Sequence, residues 1–296
     1  GNPLTPNQPI ETWAKQAGMD WQIKSSPVRY LAGDTDYLGQ IMPYPDKQVL
    51  YRSDTNAPLS VVSPRYKVVQ PCEILEFYRD LSELSGFELE TAGVLKQGRK
   101  IWALAKTGNA MKLQGGDVTN GYLLLATACD GTMATTAQFT SIRVVCNNTL
   151  SVAIGNTAGA IKVPHSTTFD AHEVKQKLGL PVAAWDDFSY RMKALSERRV
   201  SNKEALRYLE GVFINPAIPG ANNERSVAKA LSLYQGQGRG AELVSSRGTA
   251  YGLLNSVTEF VDHERRSRST GHRLDSAWFG QGASCKNKAL EHALAL

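Results

Sequence analysis

The spacing of apolar residues changes twice along this chain. Between Cys72 and Gly86, Ile74, Leu75, Phe77, Tyr78, Leu81 and Leu84 recur at i, i+3, i+4 and i+7. That stripe predicts an amphipathic helix with Gly86 as its stop and Glu73, Glu76, Asp80 and Glu83 facing outward. From Phe87 the pattern alternates: Phe87, Leu89, Thr91 and Val94 precede a Gln97-Gly98 pair, and Ile101, Trp102 and Leu104 follow. Period-two spacing around a glycine-containing turn predicts a hairpin. The run RYKVVQ, closed by Pro71, reads as a strand ahead of the helix, and residues 108–117 read as a loop. GYLLLATA then supplies a near-continuous apolar strand, and CDGT turns the chain into MATTAQFTSIRVV. The expected core is a helix packed on an antiparallel meander, in the order βαβββ.

Beyond Asn147 the period becomes helical. GAIKVPH is a last apolar piece, and Ser166, Thr167 and Thr168 offer caps for a helix over FDAHEVKQKLG that Gly179 and Pro181 end. Further helices are expected over 184–199, 202–212, 224–234, 250–266 and 286–294, with NPAIPGANN, GQGRG and SRSTGHR as loops. Residues 1–59, rich in Pro, Gly, Asp and Asn, read as a lead-in with one short helix and a few strands. The expected fold class is α+β: lead-in 1–59, sheet core 60–165, and a helical region 166–296 packed on that core as one unit.

Composition narrows the picture only a little. The chain has 296 residues, 42% hydrophobic and 21% charged, which is ordinary for a globular protein with an adequate core. A net charge of +5 permits a polyanionic partner without demanding one. Cys72, Cys129, Cys146 and Cys285 lack metal-ligand spacing, so neither a zinc site nor a disulfide framework is expected. No apolar run reaches the ~18 residues of a membrane span, and the opening residues lack signal-peptide regions. A cytoplasmic protein with no membrane association and no cofactor is the expectation.

Local charge adds more. Residues 93–114 hold Lys96, Arg99, Lys100, Lys106 and Lys112 and no acid, and cations of this kind neutralise phosphates. Trp102, Tyr122 and Phe139 share the predicted sheet, and aromatic rings stack on bases. The plainer alternative is a solvated strand face with Trp102 in the core. A second patch, Arg265, Arg266, Arg268 and Arg273, follows the helix YGLLNSVTEFVDHE. Its alternative is a helix C-terminus decorated by cations that favour the dipole. No phosphate-binding loop, dinucleotide fingerprint, nucleophile elbow or zincin motif occurs. His165 and His172 flank Asp170 in a stretch that a metal-dependent nuclease could use, with no further ligand near in sequence, and the carboxylates Glu73, Glu76, Asp80 and Glu83 read as a solvated helix face. Asn147 and Asn148 suit a turn at the end of a strand, and Cys146 a small buried site.

PRYKVVQP, ELETAGVLKQGRKIWALAK, FTSIRVVCNNTL, PHSTTF, LLNSVTEFVDHERR and WFGQGASCKNKAL together resemble the uncharacterised "phage/plasmid-like protein" family of prophages, phages and conjugative plasmids. The resemblance spans most of the chain and implies a bacterial mobile-element setting, with no activity attached. At the level of fold, the βαβββ order is similar to phage single-strand annealing proteins of the RecT and Redβ type, which form rings or filaments on DNA. The expected function is therefore non-enzymatic binding or annealing of single-stranded DNA by a homo-oligomer. Its residues would be Lys96, Arg99, Lys100, Lys106 and Lys112, stacking Trp102 and Tyr122, and Arg265, Arg266, Arg268 and Arg273. An interaction protein that engages host or phage proteins is the alternative, and a metal-dependent nuclease the third reading.

Overall fold

The computed structural model describes residues 1–33, 39–152, 160–165, 170, 181–214 and 223–296. The chain divides into two compact units. Unit 1 comprises residues 1–106, 123–138 and 160–179; unit 2 comprises 107–122, 139–159 and 180–296. Helices and antiparallel sheets are both present, so the fold is α+β.

In unit 1, β1 (Asn2–Pro3) pairs with β5 (Glu88–Leu95), and α1 (Ile10–Ala17) ends on Gly18 at φ +66. Strands β2 (Ile23–Ala32) and β3 (Gln40–Arg52) form a long ribbon, joined near its base by β4 (Pro58–Val62). β4 pairs only with residues 48–51, so the outer ribbon stands as two strands with Tyr30, Leu31, Ile41 and Tyr44 exposed. The strand expected over RYKVVQ is absent. Residues 63–70 instead run irregularly after β4, because Pro64 has no N–H to extend the ladder. Side chains satisfy that segment: Tyr66 donates to Ala128 O at 2.7 Å, and Gln70 exchanges hydrogen bonds with the backbone of Ile23.

Helix α2 (Pro71–Ser85) forms where the periodicity places it, with Gly86 at φ +68 as its stop. Its Ile74, Leu75, Phe77 and Tyr78 are buried. Tyr78 is fully enclosed and donates its hydroxyl to Leu123 O at 2.7 Å, with Ala103 O at 3.1 Å. Such a buried hydroxyl needs that partner, since leaving it unpaired costs about 1–3 kcal/mol. The predicted hairpin is β5 and β6 (Lys100–Leu113), with Leu95 opposite Lys100. Its turn places Lys96, Gln97 and Gly98 at φ +51, +62 and +102. β6 runs five residues past Gly108, so the loop expected over 108–117 shrinks to Gln114–Gly116 before β7 (Asp117–Ala128). At CDGT, the Asp130 carboxylate accepts from the N–H and hydroxyl of Thr132, and β8 (Thr135–Arg143) follows. β10 (Ala160–Val163) pairs with β8, giving the sheet order β1-β5-β6-β7-β8-β10.

Unit 2 contains the distal ends of β6 and β7, the C-terminal part of β8, and β9 (Asn148–Ser151), which pairs back onto β8 around Asn147 at φ +55. The remaining described helices belong to it. They are α3 (Pro181–Glu197), α4 (Asn202–Phe213), α5 (Glu224–Ser232), α6 (Ala250–Glu259), α7 (Thr270–Phe279) and α8 (Gln281–Leu294). α4 opens with a capping box between Ser201 and Glu204. α5 and α6 each run on into a wide π turn, at residues 233–237 and 260–264, which shortens the regular helices expected over 224–234 and 250–266. α7 replaces most of a loop expected from SRSTGHR: Ser269 caps it by accepting from His272 N. The helix expected over FDAHEVKQKLG, and His172 within it, lie outside the described residues.

Candidate nucleic-acid interface

The basic hairpin contributes less open surface than its composition promises. Lys100 is 4% exposed and Trp102 3% exposed, both inside unit 1. The Trp102 ring lies against Gly1 and Gly93. Stacking on a base is worth about 1–3 kcal/mol, whereas extracting a buried tryptophan forfeits about 3–5 kcal/mol of packing. Trp102 is therefore a core residue and not a stacking platform. Tyr122 and Phe139, in unit 2, are each 5% exposed and are likewise core residues, not the stacking surface expected of them. Lys106 is half-buried beside Glu90 at 3.9 Å, so a carboxylate on the neighbouring strand shares its charge. Arg99 and Lys112 are exposed and Lys96 is intermediate.

The C-terminal patch is built differently. The π turn at the end of α6 closes with Arg265 N donating to Phe260 O at 2.7 Å, and it turns Arg265 and Arg266 out of the helix. The turn is anchored by a buried triad. Lys286 Nζ donates to Asp262 Oδ1 at 2.8 Å and to Thr149 Oγ1 at 2.6 Å, while Thr149 N donates to Asp262 Oδ2 at 2.7 Å. Gly282 lets α8 approach the turn, since a Cβ there would sit 2.8 Å from Val261 Cγ1 and from Ser276 O.

Between these elements lies a cleft of about 570 Å³ lined by Phe213, Arg225, Phe260, Glu264, Arg265 and Arg266, among others. Phe213 and Phe260 meet edge to face at 5.2 Å. Arg265 donates to Gln281 Oε1 at 3.1 Å. Glu264 is held by Lys229 at 3.1 Å, which offsets its charge toward an incoming anion. Arg225 and Arg266 have no hydrogen-bond or ion-pair partner among the described residues. Arg268 is exposed, while Arg273 lies on α7 and donates to His263 O, so it braces the turn. Sequence reasoning picked out Arg265 and Arg266 but missed Arg225, Phe213 and Phe260, for which no local signal exists.

A second buried cluster in unit 2 explains part of FTSIRVVCNNTL. Arg143 Nε lies 2.9 Å from Asp117 Oδ1 and Nη2 lies 2.7 Å from Oδ2. Nη2 also donates to Ser246 Oγ at 2.8 Å, and Ser245 donates to Asp117 Oδ2 at 2.6 Å. Burial alone would disfavour the guanidinium charge, but the bonds to Asp117 outweigh it. This cluster is sealed from solvent, with side chains 3% and 0% exposed, and it organises the fold instead of meeting a ligand.

Burial pushes the Cys129 thiol up to about 12 and the Cys146 thiol up to about 11, so neither is a thiolate nucleophile at neutral pH. His165 has Nδ1 3.0 Å from Lys67 O and Nε2 3.0 Å from Met133 O, so both ring nitrogens are engaged with backbone carbonyls. No group of three metal-ligating side chains occurs among the described residues, and no described helix is long and apolar enough to cross a membrane. Compared with known proteins, the chain matches no curated protein and no solved structure. A family model described as a domain of unknown function, DUF932, matches residues 58–278, and the chain belongs to that family.

Proposed function

We propose that this protein binds single-stranded nucleic acid, in the first instance DNA of a phage or plasmid, through the arginine-lined cleft of unit 2. The observation that carries the reading is the meeting of Arg225, Arg265 and Arg266 with the Phe213–Phe260 pair in one cleft. Arginine forks engage two phosphate oxygens at once, and aromatic faces accept bases whatever their sequence. The exposed Lys112 and Arg268 of unit 2 are further phosphate contacts in this reading, and the hairpin cations Lys96 and Arg99 of unit 1 are a separate set whose weight is tested on its own. Annealing of strands by a homo-oligomer is the finer form of the proposal; it comes from the likeness of the expected βαβββ order to phage single-strand annealing proteins, of which the structure keeps the helix and the antiparallel meander but not the strand expected over RYKVVQ.

The test is fluorescence anisotropy with a labelled oligonucleotide at two salt concentrations. Binding should weaken with a log-log slope of about 0.7 per phosphate contacted. Arg225→Glu with Arg266→Glu should weaken it at least tenfold at low salt. Absence of binding by the unaltered protein at low salt overturns the reading. Light scattering with and without the oligonucleotide reads the assembly state, and a monomer in both conditions removes the oligomeric part.

A further inference from the structure

We infer that the cleft between Phe213, Phe260 and Arg266 takes a single unstacked nucleotide, its base against the phenylalanines and its phosphate on Arg225 and Arg266. The inference rests on the nucleic-acid reading of this cleft and specifies what enters it. At about 570 Å³ the space falls within the ~300–1,000 Å³ of small-ligand sites. A groove for duplex backbone would need only cations on an open face, whereas this cleft pairs cations with apolar walls.

The two phenylalanines are half-buried, stand edge to face at 5.2 Å and both line the cleft, so together they offer apolar aromatic surface to a planar base. Polar groups suited to a base edge stand beside them. Asn223 spends its Nδ2 on Phe213 O at 2.6 Å, which leaves its Oδ1 as an acceptor. Gln281 spends its Oε1 on Arg265, which leaves its Nε2 as a donor. Both residues line the cleft. On the phosphate side, Arg225 and Arg266 carry two guanidinium groups without partners among the described residues, and Lys229 lies 3.1 Å from Glu264 and offsets part of its charge. A base in a duplex is stacked and paired and must be extruded before it can enter, so the cleft prefers strands whose bases are already free.

The experiment uses the full chain and a labelled twelve-residue thymidylate as tracer. Thymidine 5′-monophosphate, inorganic phosphate and an abasic strand of equal length serve as competitors. The nucleotide is expected to displace the tracer at concentrations where phosphate does not, and the abasic strand to compete about tenfold more weakly than thymidylate. Phe260→Leu should remove the advantage of thymidylate over the abasic strand while Arg266→Gln weakens both alike. If that variant fails to fold, the competition series on the unaltered protein decides. Tracer binding with equal competition by thymidylate and abasic strands overturns the nucleotide pocket and leaves the nucleic-acid reading standing. No tracer binding at low salt overturns both.

Discussion

Single side chains in this protein carry charges whose worth depends on what surrounds them. Arg143 and Asp117 are both sealed from water, so neither can lose its partner without leaving an uncompensated charge. Asp117→Ala is expected to cost about 3–5 kcal/mol of stability, measured by urea unfolding. An exposed pair such as Arg191–Asp187 should cost under ~1 kcal/mol in the same assay. Glu204 presents the opposite case, half-exposed yet shifted. Its carboxylate accepts from the backbone N–H and hydroxyl of Ser201 and from Arg198, which hold it at about 2 against an ordinary value of 4.5. A depressed folded-state value means that its stabilisation is fully present above pH ~4.5 and is lost as pH falls toward ~2. Thermal unfolding followed across that window should lose part of its acid dependence in Glu204→Ala.

At the scale of elements, the helix of unit 2 that matters most is α6. It starts on the Thr249 cap, and Gly252 in its first turn brings it against the preceding loop: a Cβ there would sit 2.0 Å from Ser246 O. Gly252→Ala is expected to destabilise by about 3 kcal/mol, at the upper end of overpacking, because backbone must move. Circular dichroism melts against Gly18→Ala separate this from glycine's conformational freedom, since nothing lies within 4 Å of a Cβ at Gly18, which stands at φ +66. At its other end α6 widens into the π turn that presents Phe260, Arg265 and Arg266. Helical periodicity marked this segment correctly but ran it to Arg266 as one regular helix. A π turn adds about one residue to a single turn at the very end of the helix, and five residues are too few for that phase shift to show in the apolar pattern.

For the whole molecule, the nucleic-acid reading divides its cations into two sets with different expected weights. Charge reversal at Lys96 and Arg99 should weaken oligonucleotide binding modestly, whereas reversal at Arg225 and Arg266 should weaken it at least tenfold, both read by anisotropy at low salt. The same effect from the two sets would move the main interface away from the cleft. Hairpin composition overstated the first set because counting charges within 93–114 cannot see Glu90 beside Lys106, or the burial of Lys100.

The sequence by itself determined the α+β class, helix α2 with its Gly86 stop, the β5–β6 hairpin, the apolar strand β7 and most helices of the C-terminal half. These are local properties: periods of 2 and 3.6, caps and left-handed glycines are written within a few residues of where they act. Tertiary structure alone decided the rest. It chose β4 over RYKVVQ, buried Trp102 and Tyr122, paired Arg143 with Asp117 26 residues away, and joined Lys286 to Thr149 across 137 residues. It also gathered Phe213, Arg225 and the residues of the π turn into one cleft. Burial and long-range pairing depend on which faces meet, and no period in the chain encodes that meeting.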